Sequence, residues 1–148
     1  MDVLDVQTLR AYCLTCRKIV DSKHTCQTYR QVLLDAVLAG IAGKLYDLGL
    51  DPIMLTFYFS ENQPNTYRLQ ITLTLAVSLS CEILGPLPTG WVYKWDGNVA
   101  SSIEFNDCRC VSNKNDAEAR LKTVVKEFET FLDGRDAGSI TAMMLLTS

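Results

Sequence analysis

The chain carries a single histidine, His24, so any imidazole chemistry rests on one ring. It has no surplus of positive charge. Fourteen Lys and Arg stand against 17 Asp and Glu, a net charge of −3, where a general nucleic-acid binder carries a strongly basic footprint. It has no apolar run of membrane-spanning length, since its longest uncharged stretch alternates with Thr and Ser as a strand does. It has no Gly-rich phosphate loop, internal repeat or low-complexity segment. The first five residues, Met1 to Asp5, show neither the basic region nor the apolar core of a signal peptide. The expected location is therefore intracellular: the cytoplasm, or the host cytoplasm or virion for a viral protein. What remains is an ordinary globular composition, 48% apolar and 21% charged over 148 residues, which fits one domain spanning 1–148.

The cysteines carry the most information. Six could form three disulfides, but without a secretory signal that reading yields to metal binding and buried free thiols. Cys13, Cys16, His24 and Cys26 read C-L-T-C, seven residues, H-T-C. Three thiols and an imidazole at this spacing are a full ligand set for one tetrahedral zinc ion. The pattern resembles the short zinc knuckles found in many unrelated proteins, over about fourteen residues, and identifies no family. Arg17 occupies the position after the second cysteine, where such knuckles often carry glycine. A rival set pairs Cys13 and Cys16 with Cys108 and Cys110, which alternation places together on the polar face of a strand. The local set needs no assumption about the fold and is preferred. A redox role for Cys13-Leu14-Thr15-Cys16 is not expected, because that motif should open a helix directly.

The rest of the chain reads as an α+β domain: an antiparallel sheet of four or five strands with two helices on one face, preceded by the knuckle. Residues 1–27 form the N-terminal arm and knuckle, and 28–148 the core. Thr28 and Gln31 match a capping box, so a helix is expected over 29–48, ended by Gly49 and Asp51-Pro52. Its Gly40 and Gly43 point to close approach of another backbone. Its positive N-terminal end would favour the thiolate of Cys26. Ile53 to Ser60 alternates as a strand, and 61–65 reads as a turn. From Arg68 to Ile83 the alternation is so regular that one strand would run roughly 50 Å, beyond the usual length. It must bend near Ala76 or overhang and pair with another subunit. Residues 91–95 and about 100–111 form a hairpin about Asp96-Gly97. A second helix begins at Asn115, with Glu118 completing its capping box, and ends at Gly134, with Ala117, Leu121, Val124, Val125, Phe128 and Leu132 inward. The tail from Ile140 to Leu146 reads as an edge strand in preference to a short helix.

These features suggest a non-catalytic protein. The one histidine is a ligand, and a zinc ion with four protein ligands keeps no open position for chemistry. The expected role is macromolecular binding or assembly, as a homo-oligomer or with another protein and with no membrane contact. A viral or phage-type accessory component has this size. The first alternative is a nucleic-acid-binding module using Arg17, Lys18, Lys23 and Arg30 around the knuckle. Trp91, Tyr93 and Trp95 could stack bases in such a module, although at least two of these rings are expected in the core. The second alternative is a small metal-dependent enzyme with one labile zinc ligand.

Overall fold

Leu69, Ile71, Leu73 and Leu75 alternate with Gln70, Thr72 and Thr74, and this period of two builds the centre of the molecule. The computed structural model describes residues 9–26, 30–63, 66–107 and 113–147. Its strands are β1 (Arg10–Cys13), β2 (Lys18–Ile19), β3 (Gln31–Leu34), β4 (Pro52–Gln63), β5 (Thr66–Leu79), β6 (Trp91–Asp96) and β7 (Val99–Asn106). Its helices are α1 (Ala39–Asp47), entered through a 3-10 turn at Ala36–Leu38, α2 (Lys114–Asp133) and α3 (Ala137–Thr147). All seven strands form one sheet in the order β2-β1-β3-β4-β5-β7-β6. The α+β class is as expected. The sheet is larger than expected and there is a third helix.

The knuckle does not precede the sheet; it is the edge of it. Arg10–Cys13 pairs antiparallel with both Lys18–Ile19 and Gln31–Leu34. The expected helix over 29–48 opens as strand β3, Gln31–Leu34. Consecutive apolar residues in Val32-Leu33-Leu34 suit either period, and tertiary pairing decides. Val32 lies opposite Tyr12 and Leu34 opposite Leu55, all four buried. The helix begins only at Ala39 and ends at Gly49, which takes φ +83. Thr28, the expected cap, lies outside the described residues.

One joint in the sheet is parallel. β3 meets β4 through Leu33–Met54 and Leu34–Leu55 only, with α1 forming the crossover. Asp35 extends this short seam. Its N–H donates to the Leu55 carbonyl at 3.1 Å, and its carboxylate accepts from the Phe57 N–H at 3.2 Å. Burial of Asp35 pushes its carboxyl above the usual range, against the lowering effect of the Phe57 bond.

The long strand resolves as a bend. β5 pairs continuously with β7 up to Thr74–Ser102 and resumes at Leu79–Ala100. Residues 75–78 therefore stand opposite the single residue Ser101, a multi-residue bulge where the sequence places Ala76. β5 is an interior strand, flanked by β4 and β7, and does not overhang.

α1 and α2 cover the apolar face. The inward face of α2 is the expected one, and its Phe128 stacks on Trp91 with centroids 4.0 Å apart. Its cap is Asn113, two residues earlier than expected. The Asn113 side chain accepts from the Asp116 N–H at 2.8 Å and donates to the Asp116 carboxylate at 2.9 Å, so the reciprocal partner is Asp116 and not Glu118. No backbone approaches the two glycines of α1. Added β-carbons would strike the Glu129 carboxylate at Gly40 and the Arg17 guanidinium at Gly43. The tail is helix α3 and not a strand. Asp136 caps it, accepting from the Ser139 N–H at 2.8 Å and its hydroxyl at 2.7 Å, and the Ala-Met-Met-Leu-Leu run that follows has high helix propensity.

Trp91 and Tyr93 are in the core and Trp95 is 41% exposed. The Tyr93 hydroxyl accepts from the Leu84 N–H at 3.0 Å and donates to the Gly85 carbonyl at 2.9 Å. Burial of Tyr93 pushes its pKa up to about 12, outweighing the Leu84 bond. In the unfolded chain the phenol ionises near pH 10. Stability is therefore intact below about pH 10 and falls as pH rises toward 12, by up to roughly 2–3 kcal/mol. Urea titrations at stepped pH should show this loss, and Tyr93→Phe should flatten it. Equal alkaline slopes in the two proteins would rule out Tyr93 as its source.

Candidate metal centre

Three local devices bring Cys13, Cys16, His24 and Cys26 together. Cys13 is the last residue of β1 and fully buried. The turn after it closes through the Arg17 N–H to the Cys13 carbonyl at 2.7 Å, while the Cys16 N–H donates to the Cys13 Sγ at 3.4 Å. Such a turn needs a left-handed residue, and Arg17 supplies it at φ 59 in place of glycine. β2 then returns the chain, and the Asp21 carboxylate accepts from the Lys23 N–H at 2.9 Å while its carbonyl accepts from the His24 N–H at 3.1 Å. That turn carries His24 and Cys26 back over the first pair.

The donor atoms of all four residues lie within 4.8 Å of one another. Cys16 Sγ is 3.7 Å from His24 Nε2 and 3.8 Å from Cys26 Sγ. A tetrahedral ion with Zn–S near 2.3 Å and Zn–N near 2.0–2.1 Å separates two sulfurs by about 3.8 Å and a sulfur from a nitrogen by about 3.5 Å. The cluster could hold a metal ion without rearrangement of these pairs.

The protonation states differ across the set. Burial of Cys13 works to raise its pKa, but hydrogen bonds from the Cys16 N–H, the His24 ring and the Arg30 backbone together hold it down at about 6. Cys16 is pushed up to about 11, first by donating to Cys26, then by burial and by the neighbouring Cys13. The metal-free cluster thus has a thiolate at Cys13 and a protonated thiol at Cys16 near neutral pH. The helix end expected to assist Cys26 is absent, because the chain enters β3 there.

Arg17 ties the knuckle to the core. Its guanidinium bonds the Asp47 carboxylate and lies 5.7 Å from the centre of the Tyr46 ring, at the C-terminal end of α1 where a cation is favoured. Gly43 leaves the room it occupies. Sequence reasoning missed this tie. Its only sequence signals are the non-glycine residue after Cys16 and the small residue one turn before Asp47. Arg30 likewise bonds Asp51 across the seam. Lys18 and Lys23 are exposed. The rival ligands Cys108 and Cys110 lie outside the described residues. Cys81 stands apart from the cluster, half-buried in a groove beside α3.

Among the described residues no helix is long and apolar enough to cross a membrane. No family model matches the chain, and no curated protein or solved structure is detectably similar to it.

Proposed function

We propose that this chain is a non-catalytic zinc protein in which the ion clasps the β1–β2 hairpin and the following loop, and that it acts in macromolecular assembly. The observation that carries the reading is the convergence of one imidazole and three thiols at spacings suited to a tetrahedral zinc shell. Thiolate-rich donor sets select soft or borderline ions, zinc above all in a redox-neutral site. Four protein donors fill the shell and leave no position for water or substrate, so the ion's effect is structural. Cys13, Cys16, His24 and Cys26 would hold it, and the Cys16 N–H bond to Cys13 Sγ is a supporting contact of the kind that tunes such sites. The enzyme alternative requires His24 to leave the set, whereas its Nε2 lies at ligand spacing from Cys16. The nucleic-acid alternative loses two of its four cations to Asp47 and Asp51.

Metal analysis of protein produced with zinc in the medium tests this. One zinc per chain is expected, lost in Cys13→Ser and in Cys26→Ser and retained in Cys81→Ser. Wild-type protein that neither carries zinc nor takes it up would end the proposal.

A further inference from the structure

α3 contains no Asp, Glu, Lys or Arg. A helix apolar around its circumference is normally covered on all sides in water. Here the body covers one side. Ile140 is buried and Met144, one turn on, is half-buried, but Leu145 and Leu146 are 73% and 84% exposed and Met143 is exposed beside them. Next to this ridge lies a groove of about 440 Å³. It lies beside the β5 bulge: Val77 and Ser78 stand out of the ladder, Leu79 rejoins it at Ala100, and Cys81, Ile83, Val99 and Met144 complete the wall. Its polar lining is Ser78 and Ser80, with no charged side chain.

The chemistry of the patch restricts what can cover it. Its groove offers no cation to a phosphate backbone or an anionic headgroup, and the cation beside Met143, Arg135, is held by the Leu84 carbonyl and lies over the Phe131 ring. An apolar protein surface fits, and the chain itself presents one. A ridge and a recess side by side on one surface are self-complementary, which is what a twofold contact between identical copies requires. Each copy bears a net charge of −3, and mutual repulsion is least where the surface is uncharged. Met143, Leu145, Leu146 and Val99 are exposed by 42, 73, 84 and 41%, an apolar area on the order of 400 Å², about half of the ~800 Å² that one partner contributes to a standard interface.

We infer that two copies of this chain associate through the α3 ridge and the groove of the β5 bulge, the Leu145–Leu146 ridge of each entering the groove of the other. This gives the assembly reading a partner and a surface. It does not depend on the metal, whose ligands lie on β1 and the loops beside it, with β3 and β4 between them and β5.

Sedimentation velocity at about 100 µM, well above the micromolar limit of a standard interface, should give a dimer for the wild type. Leu145→Glu/Leu146→Glu should give a monomer with an unchanged circular dichroism spectrum, because both side chains are exposed, and its melting temperature, unlike that of the wild type, should not depend on protein concentration. Val99→Arg, at the groove mouth, should do the same from the other half of the contact. A monomeric wild type, or a dimer that survives both variants, overturns the inference. So does a monomeric wild type that floats with uncharged phosphatidylcholine vesicles while the Leu145→Glu/Leu146→Glu protein does not. Zinc content measured on the same samples keeps the two proposals separate. A zinc-free dimer supports this one and removes the clasp, and a zinc-loaded monomer does the reverse.

Discussion

Removing zinc is expected to lower the stability of this protein by about 4 kcal/mol when the comparison is made at free zinc about 1,000 times its dissociation constant. Metal bound only to the native state stabilises it by mass action, and the cluster exists only when the β1–β2 hairpin and the loop to Cys26 are folded. The loss should begin locally. The hairpin retains its pairing with β3 through Arg10–Leu34 to Cys13–Gln31, while the loop carrying His24 is held by two short-range bonds to Asp21. Hydrogen exchange after chelation should therefore accelerate first over 20–26 and later over 10–13. Cys26→Ala should reproduce the chelated protein, and Cys13→Ala should cost more because it also empties a fully buried position. The effect has a sign in pH. Cys16, at about 11, keeps its proton at neutral pH in the metal-free state, so zinc uptake displaces it. Each such proton makes affinity rise about tenfold per pH unit and fall by the same factor on acidification. A denaturation midpoint unmoved by chelator would contradict all of this.

Arg120→Ala is expected to destabilise the protein by up to about 3–5 kcal/mol, because it removes one charged partner of a buried carboxylate. The Asp107 side chain is only 3% exposed, just after β7, and accepts from the Arg120 Nε at 2.9 Å. The chain there is also fixed by the Asp107 N–H bond to the Leu69 carbonyl at 3.1 Å, so the carboxylate cannot easily swing into solvent. Arg120 is more open, 21% exposed, and its guanidinium lies 5.8 Å from the centre of the Phe105 ring. The asymmetry makes the prediction directional. Removing the cation weakens the compensation of a buried carboxylate, whereas Asp107→Asn/Arg120→Met removes both charges and should recover most of the loss. Urea denaturation of the single and double variants checks it. A single variant within about 1 kcal/mol of wild type would place this pair with exposed ion pairs of little consequence.

The inward face of α2 and the alternation of β5 were legible because each repeats a period over many residues. The inward side of α2, from Ala117 to Leu132, needed nothing but the spacing of its apolar positions. β3 was not legible. Val32, Leu33 and Leu34 carry no period by themselves, and their strand state depends on Tyr12 and Leu55, far apart in sequence. The tail failed for a related reason: Ile140 and Thr141 favour strand locally, while the cap that starts the helix is Asp136, outside the segment read as strand. The cluster of Cys13, Cys16, His24 and Cys26 was legible as a set because all four lie within fourteen residues and local turns join them. Their attachment to the core was not. Arg17 reaches Asp47 across thirty positions, and no periodicity reports such a contact.

The parallel seam between β3 and β4 divides the sheet unequally. On one side stand β2, β1 and β3 with the metal ligands; on the other stand β4, β5, β7 and β6 beneath α2. Two register pairs, the Asp35 bonds and the Arg17 and Arg30 ion pairs span the division. The buried Tyr12, Leu14, Val32 and Leu34 of the edge also belong to the same apolar core as Leu45 and Leu55. An ion held by the cysteine–histidine cluster would therefore fasten the margin of a continuous core, and its loss would be felt first at that margin.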